Sequence, residues 1–180
     1  MPSSTELCTP RLLLRQWRPS DLEPFAAMNA DAEVMRYYPS AWNRAQSDAF
    51  AQRVMRLIDE RGWGFWAVEE RASGQFIGFV GLHVPSDNLP FSPCVEVGWR
   101  LAKPYWGLGH ATEAAQSAMT FGFQHLHLDE IVAFTAVANQ RSRAVMERLG
   151  MRLSSEFDHP LVPVESGLRR HVLYHLRPPL

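Results

Sequence analysis

The sequence predicts an α+β domain built on a mixed sheet, and three observations carry that expectation. Two β-compatible runs, Gly64–Glu69 and Phe76–Leu82, flank the turn formers Ala72-Ser73-Gly74-Gln75 and so read as an antiparallel hairpin. Between Val95 and Ala136 a strand, a helix and another strand follow one another, the order of a parallel crossover. Two last strand-like runs, around Met151 to Phe157 and Arg170 to Leu176, close the chain.

Taken in order, Arg11-Leu12-Leu13-Leu14-Arg15-Gln16-Trp17 is the first strand, stopped by Pro19. Ser20-Asp21-Leu22-Glu23 then has the spacing of a capping box and predicts a helix start. A second helical piece is expected over about Ala32 to Tyr37, closed by Pro39. A longer helix after Asn43 puts Phe50, Val54, Leu57 and Ile58 on one face and ends at Gly62. The hairpin follows, and the prolines of Pro85 to Pro93 make a loop before the fourth strand, Val95–Leu101. Past a glycine-bearing turn, a helix from near Thr112 repeats Ala111, Ala114, Ala115, Ala118, Met119 and Gly122 at helical spacing, a face small enough to lie close on a sheet. The fifth strand is Glu130–Ala136, after which Asn139 caps a short helix carrying Val145, Met146 and Leu149 and ended by Gly150. A second loop is expected over Pro160 to Pro163.

With 180 residues, 46% of them apolar and 21% charged, the chain suits one well-buried core, so residues 1–180 are expected to form a single domain. A net charge of -1 provides no global positive field for nucleic acid or an anionic membrane, so any anionic ligand must be held locally. Cys8 and Cys94 lack CxxC spacing, and His125 and His127 have no carboxylate–cysteine set around them, so no metal is expected. The first residues, Met1 to Glu6, lack a basic region followed by an apolar run, and no segment approaches the roughly 20 apolar residues of a membrane span. A cytoplasmic protein, monomer or homodimer, is the expectation.

The chemistry is concentrated in Pro104-Tyr105-Trp106-Gly107-Leu108-Gly109-His110-Ala111-Thr112-Glu113, between a strand and a helix. Its glycines let backbone amides turn inward, and the helix start adds unpaired N–H groups and the positive end of the dipole, a cradle for phosphate or pyrophosphate. No GK[ST] follows, which excludes a P-loop, and Thr112 stands where a dinucleotide fingerprint needs its third glycine.

Trp106-Gly107-Leu108-Gly109-His110-Ala111 resembles the [QR]-x-x-G-x-[GA] signature of the GNAT superfamily of acetyl-CoA-dependent N-acetyltransferases, with Gly109 and Ala111 matching and Trp106 in the Gln/Arg place. Trp-Gly-x-Gly followed by Ala-Thr-Glu-Ala is similar to the branch containing the ribosomal-protein N-terminal acetyltransferases of the RimJ/RimL kind. Arg11-Leu12-Leu13-Leu14-Arg15 with Trp17-Arg18-Pro19-Ser20-Asp21, Val95-Glu96-Val97-Gly98-Trp99, and the Asn-x-x-Ser element Asn139 to Ser142 running into Leu149-Gly150-Met151 resemble that branch in the same order.

The resemblance implies the GNAT fold, a mixed and mostly antiparallel sheet splayed between its fourth and fifth strands and flanked by helices on both faces. It implies acetyl-CoA as acyl donor and a primary amine, on a protein N-terminus or a small molecule, as acceptor. The implied cofactor-binding positions are Trp99, Arg100 and Leu101 for the pantetheine arm, Trp106, Gly107, Leu108, Gly109, His110, Ala111 and Thr112 for the pyrophosphate, and Asn139 and Ser142. Ser142 carries over as the general acid for the leaving thiolate; the competing reading is a first-turn serine satisfying a backbone amide. Direct transfer needs a deprotonated amine, and Glu96 is the candidate base because it shares strand parity with Gly98 and Arg100; the competing reading pairs it with an arginine such as Arg100. Tyr37 and Tyr38 are candidates for the acceptor pocket. His83 faces the acceptor cleft or caps its strand, Tyr174 reads as structural, and Arg169-Arg170-His171 reads as a solvated strand end that an acidic acceptor could use. The side chain of His110 is expected to be exposed. The rival functional reading is a non-catalytic acyl-CoA-binding module.

Overall fold

A computed structural model describes residues 4–85 and 88–179. Met1 to Ser3, and Ser86 and Asp87 of the Pro-rich loop, lie outside the described residues. In chain order the elements are β1 (Leu7–Cys8), β2 (Leu12–Arg15), α1 (Leu22–Ala30), α2 (Arg44–Arg61), β3 (Phe65–Glu70), β4 (Gln75–His83), β5 (Glu96–Leu101), α3 (His110–His125), β6 (Ile131–Ala136), α4 (Gln140–Arg148), β7 (Arg152–Asp158) and β8 (Arg170–Leu176). They form an α+β fold on one sheet of eight strands, ordered β1-β2-β3-β4-β5-β6-β8-β7.

Local chemistry explains most of these boundaries. Asn43 accepts from the Gln46 amide while the Gln46 side chain accepts from the Asn43 amide, a reciprocal cap that starts α2, and Gly62 ends it in the left-handed region at φ 82. Two expectations differ. The start of α1 is organised by Asp21 rather than by Ser20 and Glu23: Asp21 accepts from the Arg18 amide at 2.7 Å and is paired twice, at 2.8 and 3.0 Å, with the buried guanidinium of Arg15. Residues 32–37 form successive turns instead of a helix. Met35 N–H reaches Asp31 O, but the later bonds are of i→i−3 type, and too few residues precede Pro39 to repay helix nucleation. β1 is an additional short strand, paired with β2 at Leu7↔Leu14 and Cys8↔Leu13.

Alternation along the strands divides the core between two layers. On one face, Phe25 of α1 and Phe50 of α2 pack on Phe79, and Phe65 lies 4.9 Å from the Phe79 ring. On the other, Trp66 meets Phe121 of α3 edge-on at 5.6 Å. Ala114, Ala115 and Ala118 of α3 are fully buried, and a Cβ at Gly122 would stand 3.0 Å from both Ile131 Cδ1 and Leu82 Cδ1, so the helix lies as close to the sheet as a glycine allows. α4 shares this second face, where the Tyr174 hydroxyl of β8 donates to Glu147 at 3.2 Å. Helices thus cover both faces.

The sheet is antiparallel except between β5 and β6. That parallel pair is registered at Glu96↔Val132, and no further position of the two strands is paired. From Val97 onward β5 therefore turns backbone groups towards a gap rather than towards a neighbouring strand. This splay, with the glycine turn directly after β5, positions the site.

Candidate active site

The turn after β5 is held from three directions. Trp106 donates its indole N–H to Leu101 O at 2.8 Å, pinning the turn to the strand it leaves. Arg11 donates to Leu108 O at 2.7 Å. Glu113, in the first turn of α3, accepts from the Thr9 hydroxyl, the Arg11 amide and the Arg11 guanidinium at 2.7, 2.9 and 2.6 Å. Partial burial pushes the Glu113 pKa up, but those bonds and the Arg11 charge outweigh it and hold the carboxyl below its usual range.

Gly107 and Gly109 take φ of 74 and 79, a region costly for side chains, and the first intrahelical bond of α3 runs from Glu113 N–H to Gly109 O. The amides of His110, Ala111 and Thr112 consequently have no acceptor within the helix. They face a cavity of about 1060 Å³ between the turn, the N-terminal strands, α3 and α4. Contrary to the expectation of an exposed side chain, His110 is only 4% exposed. The Cα–Cβ bond of a first-turn residue tilts towards the helix N-terminus, which folds this ring under the turn, with Nε2 3.9 Å from Glu70 Oε1. Its Nδ1 and the Thr112 hydroxyl are buried on the cavity wall without a hydrogen-bond partner. Unpaired amides with an orphaned hydroxyl beside them suit an anionic ligand, so these residues fit the pyrophosphate of acetyl-CoA. Arg141 of α4, which sequence reasoning did not single out, stands with its guanidinium 3.9 Å above the Trp106 ring on the same cavity.

A second cavity, of about 410 Å³, opens on the opposite face of β5. Tyr37, Tyr38, His83 and Glu96 line it as candidates from the sequence; Arg100, His159 and His171 line it too. Glu96 and His83 are register partners across β4 and β5, and His83 stacks on Phe65 at 4.9 Å. Burial pushes the His171 pKa down to about 4, against its bond to the Arg169 carbonyl and with help from nearby His159.

Trp99 and Ser142 line both cavities, so the two spaces meet there through the splay. Asn139 caps α4 by accepting from the Ser142 amide at 3.3 Å, and its Nδ2 donates to Thr135 Oγ1 and Ser142 Oγ at 3.0 and 3.1 Å. The Trp99 indole also points at Ser142 Oγ, at a longer 3.4 Å. Leu101 lies on the first cavity, whereas Leu108 contributes its carbonyl to Arg11 and leaves its side chain 52% exposed.

Comparison with known proteins gives this geometry a family. The model of the acetyltransferase (GNAT) domain matches residues 11–152. The chain belongs to the GNAT acetyltransferases. Among its relatives is YkkB of Bacillus subtilis (strain 168), 30% identical over 157 residues, which span 86% of this chain and 89% of that protein. The fold is shared with a GNAT-family acetyltransferase from Bacillus anthracis, at TM-score 0.79 and 24% identity over 96% of this chain and 98% of that one. It is shared too with RimL, a ribosomal alpha-N-protein acetyltransferase solved in complex with coenzyme A, at TM-score 0.75 and 16% identity over 96% and 98%. Acetyl transfer from acetyl-CoA is the chemistry of this GNAT family, and its ribosomal-protein acetyltransferases are among the structural neighbours of the chain.

The remaining sequence candidates lie away from both cavities or serve the fold. Arg170 pairs with Glu156 and Asp158 at the surface. His125 stacks on Phe121 at 5.1 Å and lines the far end of the first cavity. Among the described residues, no group of three or more His, Cys, Asp or Glu could hold a metal ion, and no helix is long and apolar enough to cross a membrane.

Proposed function

We propose that the chain is a single-domain, cytoplasmic N-acetyltransferase that moves an acetyl group from acetyl-CoA directly to a primary amine. The observation that carries this reading is the meeting of the two cavities, on opposite faces of β5, at Trp99 and Ser142. One cavity takes the donor and the other the acceptor.

Acetyl-CoA supplies a thioester whose carbonyl carbon an uncharged amine attacks. On the donor side the amides of residues 107–112, with His110 Nδ1 and Thr112 Oγ1, hold the pyrophosphate, and Arg141 adds a cation. The backbone of Trp99, Arg100 and Leu101 along the open edge of β5 pairs with the pantetheine arm. Ser142 acts as general acid. Its oxygen already accepts from Asn139 Nδ2, with the Trp99 indole also pointing at it, and neither group can take a proton back, so the hydroxyl hydrogen is free to turn to the leaving sulfur. Glu96 takes the proton of the amine through water. It lies three residues before Trp99, about 10 Å along the strand, too far for direct contact with an amine at the crossing. When the amine nitrogen bonds to the acetyl carbon and the carbon–sulfur bond breaks, one proton passes from nitrogen towards Glu96 and one from Ser142 to sulfur, and water carries the proton held at Glu96 back to the Ser142 oxygen, so that the net transfer is from nitrogen to sulfur.

The test is an amine and peptide panel supplied with acetyl-CoA and read by thiol release. Turnover that depends on an amine supports the proposal. Tight coenzyme A binding with silence across the panel favours a binding module instead.

A further inference from the structure

Arg100 is a buried cation that the fold holds with rings and a neutral amide rather than with a carboxylate. Its side chain is 6% exposed, leaves β5 with the parity of Glu96 and Gly98, and lines the second cavity. Nη1 donates to Asn29 Oδ1, a neutral amide, at 2.8 Å, while Nε is buried without a partner. Arg100 enters no ion pair among the described residues. Its counter-charge is aromatic: Tyr38 and Trp42 lie 4.4 and 4.5 Å from the guanidinium carbon. Ring faces satisfy a cation but accept little from the in-plane N–H groups along its edge, and a methionine would fill the same cage without leaving a donor stranded. A carboxylate is the planar acceptor that matches such an edge.

The surroundings agree in charge. Arg53 places a second guanidinium on the same cavity, and Glu96 stands four residues back along the same strand face, roughly 13 Å away by strand rise. The crossing at Trp99 and Ser142 falls between Glu96 and Arg100. We propose that Arg100 forms an anion subsite of the acceptor cavity, and that the acceptor is a small zwitterionic amine with its carboxylate a few bonds from the nucleophilic nitrogen, as in an α-amino acid. This inference rests on the acetyl-transfer reading above.

The experiment compares amino acids with their own carboxamides and decarboxylated amines, and with a short peptide N-terminus, as acceptors for acetyl-CoA. Thiol release gives kcat/KM for each. A charge-assisted pair is expected to favour each acid over its amide by about ten- to hundredfold. Arg100→Met brings that ratio close to one, and Arg100→Lys, which keeps the caged charge but loses the edge geometry, gives an intermediate value. The ratio is internal to each variant, so a lower folded fraction does not distort it. Should Arg100→Met fail to fold, wild type supplies its own measurement: amine-free carboxylates of matching skeleton compete with the acceptor and their amides do not. Equal turnover of acids and amides, or faster turnover of the peptide, overturns the subsite while leaving acetyl transfer in place. Absence of thiol release with every acceptor removes acetyl transfer and the acceptor assignment with it.

Discussion

Replacing Arg141 with Ala removes the cation that stands 3.9 Å above Trp106 at the mouth of the glycine turn. In the GNAT signature the place of Trp106 belongs to Gln or Arg; in this chain the indole instead lies under the Arg141 guanidinium of α4. A hydrogen bond to a charged group contributes about 1.5–3 kcal/mol, which at 1.36 kcal/mol per decade is a ten- to hundredfold loss of coenzyme A affinity. Stacking of an exposed guanidinium on Trp is worth about 0.5–1 kcal/mol, so Trp106→Leu should weaken binding less, and the double variant should fall short of the sum of the two by about that amount. Calorimetric titration of coenzyme A reads the affinity, and the KM for acetyl-CoA should rise in step while kcat stays near wild type. Comparing coenzyme A with its 3′-dephospho form separates the pyrophosphate from the 3′-phosphate as the group Arg141 meets. Affinity unchanged within twofold in Arg141→Ala would mean that this guanidinium does not meet the coenzyme at all.

Three further outcomes follow from other contacts. Ser142→Ala should lower kcat by about tenfold or more with little change in coenzyme A affinity, because general acid catalysis acts on the leaving sulfur; equal kcat in the two proteins leaves Ser142 a capping residue only. Glu113→Gln should cost about 1–2 kcal/mol of stability at neutral pH by weakening three bonds. Since the folded pKa of Glu113 is depressed, its contribution is present above the unfolded carboxylate value, about 4.3, and is lost as pH falls through the folded one; denaturant titrations should show the Glu113→Gln variant with a flatter acid limb, and parallel limbs would contradict this. His171, lowered from 6.5 to about 4 by burial, resists protonation while the unfolded chain takes the proton, so stability falls by ~3 kcal/mol between pH 6.5 and pH 4. His171→Asn should remove most of that slope in urea melts, and an unaltered slope would assign it elsewhere.

What the sequence made legible was local. The capping of α2 by Asn43, the left-handed stop at Gly62, the hairpin around Gly74 and the glycine turn before α3 each depend on residues within a few positions of one another. The order of strands around the splay followed from resemblance, since no local signal says that β5 and β6 pair at Glu96↔Val132 alone. Residues 32–37 misled because helical spacing was present without the length to propagate it. His110 misled for a different reason: its burial depends on the end of β3, where Glu70 stands. Arg141 was unremarkable in the sequence, inside the Asn-x-x-Ser element, and Arg100 was marked there only as a pantetheine-binding strand position and a possible partner of Glu96. Their meaning comes from distant partners, Trp106 for one and Asn29, Tyr38 and Trp42 for the other. His171 belongs to a solvated strand end in the sequence, and in the fold it joins His159 on the wall of the second cavity.

Donor and acceptor are held to meet through the splay at Ser142, and a crystal structure with coenzyme A bound bears on that meeting without intermediaries. The phosphates should lie on the amides of residues 107–112, the pantetheine arm along the open edge of β5, and the sulfur within hydrogen-bonding reach of Ser142 Oγ. A coenzyme whose sulfur ends away from Trp99 and Ser142, or whose phosphates lie off the glycine turn, would contradict it.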